Sequence, residues 1–177
     1  MKRTGIPVPR IVHVALPGLM LLMAASCALM PQGPPSGRAP LGPEEIRALE
    51  MRIHEAVNRH RVSVGLQPLA YSERIAAVAR KHSRDMAEGK VPFGHSGFQS
   101  RFEVLSQGIS GVAMGENVGV NDYPRETTAR MAVAKWLESS GHRECLEDAF
   151  HVTGVGVAAD SRGNFYYTQI FFRGAGS

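Results

Sequence analysis

The chain has 177 residues, of which 44% are hydrophobic and 20% are charged, and this length supports one domain with a sizeable core but not two. Its net charge of +4 depends on Lys2, Arg3 and Arg10, because removing these three from the 20 Lys and Arg residues leaves 17 against 16 acids. A protein that binds nucleic acid needs a clustered basic face. We therefore expect no nucleic-acid partner.

The first 26 residues predict an export signal, not a part of the fold. A basic segment that ends at Arg10 is followed by an apolar run from Ile11 to Ala25. This run is shorter than the roughly 20 apolar residues that a spanning helix needs. It ends in Ala24-Ala25-Ser26-Cys27, which resembles a bacterial lipoprotein signal. We expect acylated Cys27 to anchor the protein to a membrane of the cell envelope; the alternatives are an uncleaved anchor or ordinary cleavage to a secreted or periplasmic form.

The chain has two cysteines, Cys27 and Cys145. If Cys27 is acylated, Cys145 has no partner and is interpreted as a packing residue; a disulfide between the two is the alternative. Residues 27–43 are rich in proline and glycine, which predicts a semi-rigid tether. The globular domain is expected over residues 44–177.

Three helices are predicted in the first part of this domain. Apolar residues recur at three- and four-residue steps from Glu44 to Val64, which is typical of one buried helix face. Ser72 is a suitable N-cap for a second helix, whose apolar face includes His82. We interpret His82 as a hydrogen-bonded core histidine, with a ligand role as the alternative. A third, short helix is predicted over Phe98–Gln107.

A strand is predicted from Val112 to Val120, because small residues alternate there with larger ones and place Glu116 among apolar neighbours. The remaining predicted elements are a helix, a short helical segment and the two strands of an antiparallel hairpin: Tyr123–Glu138, Ser139–Glu147, Val152–Ala159 and Phe165–Phe172. The last strand carries large side chains on both faces, so we expect it between two helix layers. Its Gln169 is interpreted as a hydrogen-bond anchor beneath a cleft, the alternative being a place in the cleft wall.

A series of short motifs follows in order: His82-Ser83-Arg84-Asp85-Met86-Ala87, Gly94-His95-Ser96-Gly97-Phe98, Gly115-Glu116-Asn117-Val118, Trp136, Ser140-Gly141-His142-Arg143, Gly154-Val155-Gly156-Val157-Ala158 and Tyr166-Tyr167-Thr168-Gln169-Ile170-Phe171. Together they resemble the bacterial branch of the CAP superfamily (cysteine-rich secretory, antigen 5, pathogenesis-related 1), also called SCP-like extracellular proteins, over about residues 48–173. The resemblance implies an α+β fold, a three-layer α-β-α sandwich with a central antiparallel sheet.

The resemblance also implies a cleft that carries two histidines, here His95 and His142, and a first acid, here Glu116. A second acid is common in the family three residues after the tryptophan, and Ser139 stands at that position. Two imidazoles and a carboxylate are a reasonable ligand set for Zn²⁺ or another divalent cation. The alternative is a hydrogen-bonded network that closes the cleft floor without a metal.

The sequence thus favours an exported binding module of the cell envelope, whose cleft takes a metal ion, a small lipid or another envelope component. The alternatives are a metal-assisted hydrolase of peptide or peptidoglycan and a scaffold with a vestigial cleft. Ser139 in place of an acid, and the lack of a His-Glu-x-x-His helix, favour binding over catalysis. The segment from Gly154 to Ala159 matches a dinucleotide-binding pattern, but a turn and a strand follow where that pattern requires a helix.

Overall fold

The computed structural model describes residues 41–107 and 111–174, so the predicted export signal, Cys27 and most of the predicted tether lie outside the described residues. Within these ranges the chain forms five helices and four strands. The helices are α1 (Pro43–Ser63), α2 (Glu73–Ala87), α3 (Phe98–Ser106), α4 (Thr128–Glu138) and α5 (Ser140–Glu147). The strands are β1 (Ala70–Tyr71), β2 (Gly111–Asn121), β3 (Val152–Ala159) and β4 (Phe165–Gly174).

The limits of the first two helices follow from local chemistry. Pro43 is at the start of α1, and the Glu45 carboxylate accepts a hydrogen bond of 2.8 Å from the Gly42 amide. Gly65 follows the helix with a φ of 82°, a left-handed conformation that favours glycine. The Ser72 hydroxyl accepts from the Ile75 amide and caps α2. The predicted limits of α1 and the predicted cap of α2 are confirmed.

The four strands form one sheet in the order β1-β3-β4-β2. The hairpin of β3 and β4 is antiparallel as predicted, and β2 pairs antiparallel with the other side of β4. β1 was not predicted; it adds a two-residue edge that runs parallel to β3. The three long strands are therefore antiparallel, and β4 lies between β3 and β2.

Helices cover both faces of the sheet and bury two separate cores. On one face α1, α4 and α5 enclose the larger core. Its buried members are Leu49, Ile53, Val57, Leu69, Ala129, Ala132, Val133, Trp136, Leu146, Phe150, Val155, Val157, Phe165, Tyr167 and Phe171. On the other face α2 and α3 enclose Ile75, Ala79, Leu105, Ile170 and Phe172. This arrangement confirms the predicted α+β fold of three layers.

Two glycines of β3 allow α2 to lie directly on the sheet. A Cβ atom on Gly154 would lie 2.2 Å from the Ala76 amide nitrogen, and one on Gly156 would lie 2.1 Å from the Arg80 amide nitrogen. Only glycine fits such an approach of strand and helix backbones. The Gly-x-Gly pattern here is therefore a packing feature in a strand, which agrees with the rejection of a dinucleotide-binding loop.

The predicted start of α4 at Tyr123 is wrong, since the helix begins at Thr128. The Pro124 carbonyl accepts hydrogen bonds from the amides of Thr127 (2.9 Å) and Thr128 (2.8 Å), so the chain completes a turn before the helix begins. Proline is as favourable in such a turn as in a first helical turn, which explains the error. Trp136 anchors the helix, because its indole Nε1 donates to the Val118 carbonyl at 2.9 Å.

Candidate ligand cleft at the edge of the sheet

β2 lies at the edge of the sheet, and two adjacent polar residues of this strand face opposite layers. Glu116 is paired with Ile170, which packs under α2, while Asn117 is paired with Gln169 on the other face. Successive side chains of a strand point to opposite faces, so one short segment presents polar groups to both layers. The predicted site residues His95 and His142 each connect to this segment.

Glu116 is the centre of a charged cluster on the α2 and α3 side. Its side chain is fully buried, and its Oε1 atom lies 2.9 Å from His95 Nδ1. Arg101, in α3, forms a fork on the same carboxylate, with Nη2 2.6 Å from Oε1 and Nε 2.7 Å from Oε2. Bidentate pairs of this kind are among the strongest hydrogen bonds in proteins. The fork compensates the charge that burial of Glu116 would otherwise leave unpaired.

His95 is oriented by this carboxylate while half of its side chain stays exposed. When Nδ1–H donates to Glu116, Nε2 keeps its lone pair and can accept a proton or a ligand's hydrogen bond. A histidine held through one nitrogen by a carboxylate has a fixed tautomer and ring orientation. His95 is therefore a preoriented hydrogen-bonding group at the protein surface.

Two glycines shape the loop that presents His95. Gly94 has a φ of 136° and Gly97 a φ of 77°, conformations that side chains other than glycine rarely adopt. His82 holds the first of them, since its Nε2 lies 2.8 Å from the Gly94 carbonyl oxygen. His82 is buried, and this burial lowers its pKa. The interpretation of His82 as a hydrogen-bonded core histidine is confirmed.

His142 approaches from the opposite layer, near the start of α5. The Asn117 side chain donates a hydrogen bond of 2.9 Å to the His142 carbonyl and so ties α5 to the edge strand. Partial burial lowers the pKa of His142, and the nearby His95 lowers it further. His95 and His142 are thus connected to adjacent residues of β2, His95 to the Glu116 side chain and the His142 backbone to the Asn117 side chain.

The far end of α5 is held by Arg61, a buried residue of α1. Its Nη1 donates to the carbonyls of Leu146 (2.7 Å) and Asp148 (2.9 Å), and its Nη2 donates to the Phe150 carbonyl (3.3 Å). A guanidinium is well placed at the carboxyl end of a helix, where carbonyls lack helical partners. Arg61 and Asn117 together fix the helix that carries His142.

The two other predicted cleft residues have supporting positions. Gln169 is fully buried and donates to the Thr153 hydroxyl at 3.1 Å, so it lies within the sheet layer and not in a cleft wall. Ser139 separates α4 from α5, and its carbonyl accepts from the Arg143 amide at 2.9 Å. Ser139 thus contributes to the junction of two helices. Cys145 packs against the larger core, and burial raises the pKa of its thiol.

The arrangement of these residues does not fit a metal ion bound through Glu116. Within residues 41–107 and 111–174, no group of three or more His, Cys, Asp or Glu side chains is placed to hold a metal. The reason lies in Glu116, because Arg101 engages both of its oxygens and His95 engages one of them. His95, Glu116 and His142 are therefore not a preassembled ligand set, and Zn²⁺ binding stays a prediction.

Arg101 is the residue that sequence reasoning missed. A glutamate buried beside apolar residues needs a cation, and that requirement was a signal in the sequence. The pattern of β2 alone could not identify which of the chain's cations meets it. Only the docking of α3 against the sheet brings Arg101 to Glu116, 15 residues further along the chain.

Comparison with known proteins agrees with the fold. The model of the cysteine-rich secretory protein family, CAP, matches residues 54–171. The chain belongs to this family. An uncharacterized membrane protein of Bacillus subtilis (strain 168), YlbC, is 35% identical to this CAP chain over 129 residues, which are 70% of the chain and 34% of YlbC.

Solved structures resemble the CAP domain in the same way. An extracellular protein that contains an SCP domain, from Bacillus anthracis str. Ames, has a TM-score of 0.62 and 27% identity over 77% of this chain and 45% of its own. A cysteine-rich secretory protein from Staphylococcus aureus subsp. aureus Mu50 has a TM-score of 0.59 and 21% identity over 74% of this chain and 40% of its own, a likeness of fold alone. The chain spans less than half of each of these relatives.

The names of these relatives refer to an extracellular and to a membrane location. Among the described residues of the CAP chain, no helix has the length and apolar character needed to cross a bilayer.

Proposed function

We propose that this CAP protein is an exported binding module of the bacterial cell envelope, which holds a small ligand or an envelope component between His95 and α5. The observation that carries the proposal is the orientation of His95. Its Nδ1 is engaged by a buried carboxylate at 2.9 Å, and half of its side chain is open to a ligand. His142 supplies a second imidazole, since the Asn117 side chain beside Glu116 holds the His142 backbone through a hydrogen bond of 2.9 Å.

Binding without turnover is supported by the state of the groups that hydrolysis would use. A glutamate that acts as general base must reach a water molecule. The Glu116 side chain is fully buried, and both of its oxygens face the Arg101 guanidinium. A thiol nucleophile needs a lowered pKa, whereas burial raises the pKa of Cys145.

The envelope location is proposed from the amino-terminal sequence and from the relatives. An acylated Cys27 would hold the domain on a membrane, and more than one acyl chain makes such an anchor stable. The 16 residues from Cys27 to Gly42 could extend over at most about 55 Å. A cleft on such a tether could reach ligands in the membrane surface or in the adjacent cell wall.

Co-sedimentation tests the proposal with two candidate ligands, purified peptidoglycan and vesicles of anionic phospholipid. Every variant of the full chain carries Cys27→Ser, so that an acyl anchor does not mask binding to vesicles. We expect a His95→Ala/His142→Ala variant to lose at least about tenfold in affinity for the ligand that the wild-type cleft binds. A matched His151→Ala variant, which changes an exposed histidine outside the cleft, should bind like the wild type.

Equal binding by the wild type and the cleft variant to both ligands would contradict the proposal. Cleavage of a muropeptide panel by the wild type, lost in the same variant, would replace it with the hydrolase alternative.

A further inference from the structure

The environment of Glu116 has a consequence for what the cleft can bind. Its carboxylate is a buried charge, and the Arg101 side chain that compensates it is only 11% exposed. The two carboxylate oxygens accept from two different nitrogens of the same guanidinium, at 2.6 and 2.7 Å. A planar guanidinium fits a carboxylate in this way, whereas a divalent ion would need the same lone pairs.

The loop before α3 is built around Arg101. Arg101 Nη1 donates to the Ser96 carbonyl at 2.7 Å, so the guanidinium joins loop, helix and strand. A Cβ on Gly97 would lie 3.3 Å from Arg101 Nη1, so the glycine leaves space for this side chain as well as supplying a left-handed conformation. The Arg101 guanidinium is thus held by the Glu116 carboxylate in the strand and by the Ser96 carbonyl in the loop.

We infer that Arg101 occupies on Glu116 the place that a divalent cation would need, and so makes the cleft selective against divalent metals. A metal bound to Glu116 would have to displace the fork and leave a buried guanidinium without its carboxylate. His95 would also lose the partner that orients it. The Glu116 carboxylate is therefore not available as a metal ligand while Arg101 is in place, and Arg101 sets this specificity through Glu116. This inference depends on the geometry of Glu116, not on the proposed ligand.

Isothermal titration with Zn²⁺ tests the inference on the metal-stripped full chain, with Cys27→Ser in every variant to remove a competing thiol. We expect Arg101→Met to bind one Zn²⁺ per chain at least about 100-fold more tightly than the wild type, because it frees the Glu116 carboxylate beside His95. Adding Glu116→Gln to that variant should abolish the gain. A matched Arg130→Met variant, which removes an exposed arginine of α4, should bind zinc like the wild type.

Two results would overturn the inference. The first is tight, stoichiometric zinc binding by the wild type that Arg101→Met does not improve. The second is a gain that persists in Arg101→Met/Glu116→Gln, since Glu116 would then not be the ligand released. If Arg101→Met does not fold, Arg101→Gln decides the question: it keeps a polar side chain but removes the cation from Glu116, and zinc affinity equal to that of the wild type would contradict the inference.

Discussion

The close contact between β3 and α2 makes the substitution Gly156→Ala a strong test of the fold. The new Cβ would lie 2.1 Å from the Arg80 nitrogen, 2.2 Å from the Ala79 carbonyl carbon and 2.5 Å from the Arg80 Cα. Carbon atoms in contact are normally about 3.5–4.0 Å apart, so the helix must move by more than about 1 Å. Overpacking typically costs about 1–3 kcal/mol, and a clash with backbone cannot be relieved by a rotamer change. We expect a loss of about 3 kcal/mol or more.

Displacement of α2 would also disturb the contacts that the helix makes with its surroundings. Arg80 forms a bidentate pair with the fully buried Glu50, with N–O distances of 2.7 and 2.8 Å. The Ser83 hydroxyl donates to the Gly156 carbonyl at 2.9 Å. The same helix carries His82, which holds the loop before His95. The substitution should therefore loosen the cleft as well as the core.

Urea unfolding followed by circular dichroism measures the effect. Gly141→Ala is the matched control, since the residue is in α5 and its new Cβ has no atom within 4 Å apart from its chain neighbours and the backbone of its own helix. That control should be neutral or stabilising by up to about 1 kcal/mol. A free energy of unfolding for Gly156→Ala within about 0.5 kcal/mol of the wild-type value would refute the described packing of α2 on β3.

Three further predictions concern the residues that position the cleft. Arg61→Met should lower the free energy of unfolding in urea by about 2–4 kcal/mol, because buried carbonyls at the end of α5 lose their hydrogen-bond donor. An unchanged free energy of unfolding would contradict the role of Arg61 in holding this end of α5. Trp136→Phe should cost about 1–3 kcal/mol through the lost hydrogen bond to Val118 and a small cavity, measured in the same way. Burial lowers the pKa of His82 below 6.5, so the unfolded chain takes up a proton at a higher pH than the folded chain does. The free energy of unfolding should therefore decrease as the pH falls below about 6.5. His82→Gln should reduce this pH dependence between about pH 7 and 5, and an identical slope in the variant and the wild type would contradict the role of His82.

Local patterns were sufficient for most of the fold. The hairpin of β3 and β4 was predicted because both strands are rich in β-branched and aromatic residues around a turn with glycine and asparagine. The helix face of α1 and the Ser72 cap of α2 depend on residues within a few positions of each other. Such signals need no knowledge of distant contacts. The prediction of the start of α4 was wrong because that start depends on contacts between distant residues. Thr128 makes buried contacts with Asn121 and Tyr167, which favour a later start.

The candidate site was only partly predictable. The resemblance of the motifs identified His95, Glu116 and His142, and the contact of His95 with Glu116 agrees with a shared polar site. The partner that changes its chemistry, Arg101, belongs to no recognised motif. Its role depends on where α3 packs, which is a tertiary property. The sequence left Glu116 as either a metal ligand or a member of a hydrogen-bonded network, and in the fold it is the ion-pair partner of Arg101.

The central claim is that Arg101 holds Glu116, which orients His95, and that the carboxylate is not available to a metal. Anomalous diffraction at the zinc edge, from crystals of the protein soaked in Zn²⁺, tests it most directly. We predict that the Arg101 fork remains on Glu116 and that no anomalous peak lies within bonding distance of the carboxylate. A peak bound by Glu116 and His95, with Arg101 turned away, would contradict the account.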